Sequence, residues 1–300
     1  MRSSERRKRA LGALPACLLT TVGLLAGCGG SSPSTHRAGT RARGASRVIA
    51  APSQLLAGSV PQPNGRLWVL AGTGRVRAIN EIDLGTGKPG ASVGVSNTAR
   101  ALAQSSTGTV ALGLGSATTG AIELFDGSTG TPTATIPVGA PVMSVAFGDD
   151  GVTLYALDGR SNTRSVTIVN TTTGKVTGTV GLPSDARSIV PAPNQKAIWT
   201  VQASGTVQET SLTSRRPIES FPIGSPGIAA AVSPNGDVLY VLKGTSALAD
   251  IAAISTATEH VMRVLPAAAN SVDLGASLDG SQLYDFVGAP AYGNIQVLDL

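Results

Sequence analysis

"TPTATIPVGAPVMSVAFGDDGVTLYAL", Thr131–Leu157, reads as strand, short link, strand, tight turn, strand. Thr, Ile and Val enrich its first run, "TATIPVG". A second run, "VMSVAF", ends at "GDDG", and a third, "VTLYAL", follows at once. Asp and Gly suit such a turn because both accept the positive φ it requires. No segment sustains a 3.6-residue period, and Gly or Pro interrupts the chain about every ten residues, so helices fit poorly.

Paler copies of this stretch recur. Aligned after the turn, they bring Trp68, Val110, Tyr155, Trp199, Tyr240 and Tyr284 together, at spacings of 42, 45, 44, 41 and 44 residues. A turn precedes each: "PNG" at 63–65, "STG" at 106–108, "DDG" at 149–151, "PNQ" at 193–195, "PNG" at 234–236 and "LDG" at 278–280. Each unit then offers four short apolar runs over about 43 residues, the size of a β-propeller blade. A lone blade cannot cover both of its faces. Radial stacking covers them, which explains inner strands that are almost continuously apolar.

The last unit stops at its third strand, "NIQVLDL" (294–300), while "SRVIAAP" (46–52) occupies the place of a fourth. The pattern therefore predicts an all-β, six-bladed propeller of four-stranded antiparallel blades over residues 47–300. Arg47–Ala51 should pair with Asn294–Leu300 and close the ring, leaving no open sheet edge.

The repeat resembles that of YVTN-type β-propeller proteins. Where that family carries Tyr-Val-Thr-Asn, this chain has "YVLK" at 240–243, "YALD" at 155–158, "WVLA" at 68–71 and "WTVQ" at 199–202. "SPNG" at 233–236 matches the family's SPDG turn, and "TIPVG" at 135–139 and "FPIG" at 221–224 match its TIPVG. The resemblance covers the whole body, with blades 2 and 6 weakly matched. Many family members have seven blades where this chain counts six. It implies a rigid disc that binds through loops on its faces. Related propellers include lactonase-like hydrolases and quinone-dependent dehydrogenases, so a propeller enzyme is the alternative function.

The segment before the propeller reads as a bacterial export signal. "RRKR" is followed by an apolar run of 18 residues, Ala10–Gly27, and by "LAGC", Leu25–Cys28, which matches a lipobox. That match implies a signal peptide over 1–27 and a lipidated Cys28 as a membrane anchor. An uncleaved anchor helix is the competing reading, and both leave the body outside the cytoplasm. Cys17, in "LPAC", lies too early in the apolar run, and Pro15 spoils the small-residue pattern. Residues 28–46 form a Gly-, Ser-, Thr- and Arg-rich tether.

Dividing the charge removes one function class. Of the net +5, residues before the lipobox hold +4 and Arg37, Arg41, Arg43 and Arg47 another +4, which leaves −3 for residues 48–300. The basic pI thus belongs to the signal and tether, and no nucleic-acid-binding surface is expected. No cysteine follows Cys28, so the body has neither disulfides nor thiol chemistry.

Most chemical motifs dissolve on inspection. "GASVG", Gly90–Gly94, has the hydrolase spacing around Ser92, but that motif needs a strand, an elbow and a helix. Here it falls in an outer strand. His260 stands alone in a turn, which leaves no zinc site. "GLGSATTG" (113–120) lacks the Lys of a phosphate loop, and Asp149 and Asp150 belong to a turn. No metal and no cofactor is expected from these residues, although oxygen ligands alone could serve calcium.

One constellation remains. The inner strands should enter the ring at Gly58, Arg100, Met143, Arg187, Ile228 and Asn270, around one mouth of the central channel. Arg100 and Arg187, two blades apart, would suit a carboxylate or phosphate; the plainer reading is a solvated or intra-loop contact. Loops 157–164 and 242–250 should flank this mouth and add Asp158, Arg160, Arg164 and Lys243. The expected role is that of a monomeric binding or scaffold module at the cell envelope. Its partner would be an envelope protein, a glycan or a small anionic ligand.

Overall fold

The computed structural model describes residues 47–160, 162–289 and 292–300. The expected signal peptide and tether, with Cys17, Cys28 and His36, lie outside them. Residues 42–300 make up one compact unit. The described part is all β, with 24 strands in six four-stranded antiparallel sheets.

β1 (Arg47–Ala50) comes first in the chain. Blade 1 is β2 (Leu55–Gly58), β3 (Arg66–Thr73), β4 (Val76–Asp83) and β5 (Pro89–Val95). Blade 2 is β6 (Ala99–Gln104), β7 (Thr109–Gly115), β8 (Gly120–Asp126) and β9 (Pro132–Val138). Blade 3 is β10 (Val142–Phe147), β11 (Thr153–Arg160), β12 (Thr163–Asn170) and β13 (Lys175–Leu182). Blade 4 is β14 (Ala186–Pro191), β15 (Ala197–Gln202), β16 (Thr206–Ser211) and β17 (Pro217–Pro222). Blade 5 is β18 (Gly227–Val232), β19 (Val238–Gly244), β20 (Ala249–Ser255) and β21 (Val261–Pro266). Blade 6 is β22 (Ser271–Ala276), β23 (Gln282–Val287), β24 (Asn294–Asp299) and, outermost, β1.

The ring closes as the sequence predicts. β1 pairs antiparallel with β24 through Arg47↔Val297, Val48↔Gln296, Ile49↔Ile295 and Ala50↔Asn294. One further hydrogen bond runs from Ala51 N–H to the Gly293 carbonyl at 2.9 Å. Ile49 is the one buried residue of β1. It joins Tyr284, Phe286, Ile295 and Val297 of blade 6 against Leu55, Leu67, Val69 and Ile82 of blade 1.

Six hydrophobic clusters account for the packing, and each spans one blade boundary: 1–2, 2–3, 3–4, 4–5, 5–6 and 6–1. Burial thus lies between blades rather than within them, which is why a single blade has no core of its own. The six inner turns behave alike. Gly65, Gly108, Gly151, Gln195, Gly236 and Gly280 all hold positive φ, at the third position of each turn read from the sequence.

Strand register corrects the repeat alignment in blade 2. The residue equivalent to Trp68, Tyr155, Trp199, Tyr240 and Tyr284 is Ala111, not Val110, because Ala111 faces Ala103 as Tyr155 faces Ala146. Val110 is the partner of Gln104, as Leu154 is of Phe147. The aromatic residues tie blades together: Trp68 Nε1 donates to the Gly127 carbonyl of blade 2 at 3.1 Å.

Candidate functional site

The six inner strands, β2, β6, β10, β14, β18 and β22, line a central channel with a cavity of about 380 Å³. That volume lies within the range of small-molecule sites, roughly 300–1,000 Å³. Each inner strand begins with a bulge. Pairing passes directly from Leu55 to Ala57, Ala99 to Ala101, Val142 to Ser144, Ala186 to Ser188, Gly227 to Ala229 and Ser271 to Asp273. The residues passed over are Leu56, Arg100, Met143, Arg187, Ile228 and Val272, and all six line the channel. A bulge leaves its extra residue out of the ladder and re-aims its side chain. Here it does so six times around one mouth.

Arg100 and Arg187 therefore hold the predicted positions, whereas Gly58 and Asn270 do not. Gly58 lies two residues further into its strand than its bulge at Leu56, and Asn270 two residues before its own at Val272. Asn270 sits in the turn ahead of β22 with φ 63°. Its N–H donates to the Ser246 carbonyl at 2.7 Å, and its carbonyl accepts from Gly288 N–H at 2.8 Å. It is a turn residue and does not line the channel. The loops joining the fourth strand of one blade to the first of the next differ in length, so the repeat spacing alone could not fix this register.

Among the described residues, Arg100 and Arg187 are exposed and make no hydrogen bond or ion pair. Arg77 stands beside the first of them and donates to the Ala99 carbonyl. Burial, and then the Arg100 charge, pull the Arg77 guanidinium below its ordinary value. The flanking residues are already occupied. Arg160 Nη2 donates to the Thr118 carbonyl of blade 2 at 3.0 Å, and Arg164 donates to the Arg160 carbonyl. Lys243 pairs with Asp250 at 2.8 Å across β19 and β20. Asp158 is buried and accepts from Ser165 Oγ at 2.6 Å and Thr167 Oγ1 at 2.7 Å. Of the cations expected at this mouth, the two on the bulges are the ones left open to a ligand.

The hairpin tips around the mouth divide it in two. Val76, Leu248 and Tyr292, on the tips of blades 1, 5 and 6, are exposed large apolar residues. Arg100 and Arg187 lie on blades 2 and 4, on the other side.

Sequence reading missed one channel residue, Asp273 of β22. Its Oδ2 accepts from Gly58 N–H at 3.2 Å and its Oδ1 from Leu274 N–H at 2.9 Å. Burial pushes its carboxyl up to about 7 against the downward pull of those two bonds. The signal was available: aligned on the bulges, the next residue inward is Ala57, Ala101, Ser144, Ser188 or Ala229 elsewhere and Asp only here. At the far end Asp149 also lines the channel, its carboxyl raised by burial and by Asp150.

The discarded motifs fall where they were expected. Ser92 lies in the outer strand of blade 1 and donates to Asn80 Oδ1 at 2.7 Å. His260 is exposed in a turn. Among the described residues no group of three or more His, Cys, Asp or Glu is placed to hold a metal ion.

The arrangement defines a six-bladed β-propeller with a basic channel mouth. Solved structures share this fold. Hydrazine synthase of Kuenenia stuttgartiensis superposes with a TM-score of 0.63 at 15% identity, over 81% of this chain and 83% of that one. A chain of the mitotic checkpoint complex superposes with a TM-score of 0.62 at 13% identity, over 94% and 99%. At such identities the likeness is one of fold alone. No family profile and no curated protein matches the sequence.

Proposed function

We propose that this protein is a YVTN-type, lipid-anchored binding module of the bacterial cell envelope. It works as a monomer and takes an anionic group of its ligand or partner at the channel mouth. The observation that carries the reading is the pair of unpartnered arginines, Arg100 and Arg187, each turned out of the sheet by a bulge at the rim of a cavity. Guanidinium forks in such a place match carboxylate or phosphate oxygens two at a time.

The address rests on "LAGC" at 25–28 and the polar tether after it. The body's −3 charge and the absence of a basic stripe support an envelope ligand over nucleic acid.

The test is a paired capture from envelope extract, with immobilised residues 42–300 and an Arg100→Ala/Arg187→Ala version beside it. All six cores lie within this part, so it carries its own fold. Material held by the parent and lost by the double variant is expected; equal capture by both, or none, removes the arginine site.

A further inference from the structure

The channel holds a charged group that anion binding leaves unused. Asp273 lies one residue inward from the ring of bulges, about 3.4 Å of strand rise. Its five counterparts are Ala or Ser, so this second ring is narrow-shouldered everywhere except at Asp273. Arg100, Arg187 and Asp273 stand on blades 2, 4 and 6, alternate blades around the lumen. Each Asp273 oxygen accepts one backbone N–H, and a carboxylate oxygen has room for a second donor. No cationic side chain of the described residues is paired with it. Deeper in, Leu102, Val145, Ile189 and Leu274 make the wall apolar.

We propose that the channel binds a small zwitterion, an amino acid or dipeptide, with its carboxylate at Arg100 and Arg187 and its ammonium on Asp273. This rests on the anion-binding reading above and adds the second charge of the ligand. An ammonium in a narrow, partly desolvated lumen needs a counter-charge, and among the described residues Asp273 is the one carboxyl that lines this end of the channel. An apolar side chain on the ligand would meet the aliphatic wall.

Proton linkage provides an independent signature. With its carboxyl at about 7, Asp273 is largely protonated at pH 6 in the empty channel, and an ammonium requires it ionised. Binding at pH 6 should therefore release a proton. The other titratable groups near Asp273 are few. β2 and β18, packed against β22, carry none, while β23 brings Tyr284 and Asp285, and β19 brings Tyr240 and the paired Lys243. Arg100, Arg187 and Asp149 line the same lumen.

The experiment is isothermal titration of residues 42–300 with L-leucine, L-leucyl-L-leucine and their N-acetyl forms. A free amine should tighten binding at least tenfold over its acetylated form. Asp273→Asn should erase that difference while binding the acetylated probes within about twofold of the parent. Arg100→Ala/Arg187→Ala should lose both kinds of probe. In the parent at pH 6, the heat of binding a free amine should differ between bis-tris and imidazole buffers by the difference in the two buffers' ionisation heats for each proton released, and neither buffer base is an anion that would compete for Arg100 and Arg187. This readout does not depend on any variant folding. Acetylated probes that bind as tightly as free amines, or a preference that survives Asp273→Asn, would overturn the zwitterion while leaving the anion site standing. If neither kind of probe binds the parent, the zwitterion reading falls, and the capture experiment decides the anion site on its own.

Discussion

Asp273 and Asp285 are both raised above the ordinary carboxylate range, chiefly by burial, and both belong to blade 6. An acid raised in the folded state contributes stability that is complete below its unfolded value and is lost as pH rises through its folded value. For Asp273 that window runs from 3.8 to about 7, a displacement worth on the order of 4 kcal/mol. Asp279 has the opposite sign. Hydrogen bonds from Ser277 and Ser281 hold it down at about 2, so its contribution disappears only in strong acid. The melting temperature should thus fall between pH 4 and pH 7, and Asp273→Asn should flatten most of that fall. Thermal melts across this range check it; a parent that melts alike at both ends contradicts the burial of Asp273. Turn residues offer a second check. Arg215 adopts φ 58° where Gly87, Gly130 and Gly174 hold the equivalent turns of other blades. Arg215→Gly should raise stability by about 0.5–1 kcal/mol, since a left-handed backbone costs a side-chain-bearing residue more than glycine, and denaturant melts would read it. The turns were legible in the sequence because Asn, Asp and Gly mark them. Asp273 was not, because its meaning depends on a register that composition does not carry.

At the scale of the strand, β1 closes the ring with a single buried side chain. Ile49 is 3% exposed and packs into the boundary between blades 6 and 1. Ile49→Ala should cost about 2–4 kcal/mol, measured by chemical denaturation. Removal of residues 47–52 should cost more and leave β24 as a bare edge; a truncated protein that melts like the parent would show that the ring does not depend on this strand. The same boundary explains Gly58. A Cβ there would fall within the Phe286 ring, so the position admits nothing larger. The pairing of β1 could be read from the missing fourth strand of the last unit. The bulges could not, because inner strands such as "GIAAAV" are apolar on both faces. A one-residue insertion then leaves no trace in the hydrophobic pattern.

On the molecular scale, all six repeats were legible because every blade must cover its neighbours with similar residue types, although blade 2, with Ala111 in the aromatic position, aligned one residue out. The site was legible only in part, since it depends on which repeats depart from the pattern. Arg100 and Arg187 are such departures and hold the bulge positions expected of them, whereas Asn270 lies in a turn. The proposed address has its own test: Cys28→Ser should move the protein from the membrane fraction to the soluble fraction, followed by immunoblotting. Continued membrane association with an uncleaved N-terminus would favour an anchor helix instead. The central claim is that the two bulge arginines make the mouth a binding site. Native mass spectrometry of residues 42–300, incubated with the small-molecule fraction of envelope extract, tests it most directly. The account predicts a discrete bound species on the parent that is absent from Arg100→Ala/Arg187→Ala; no bound species, or the same one on both proteins, would contradict it.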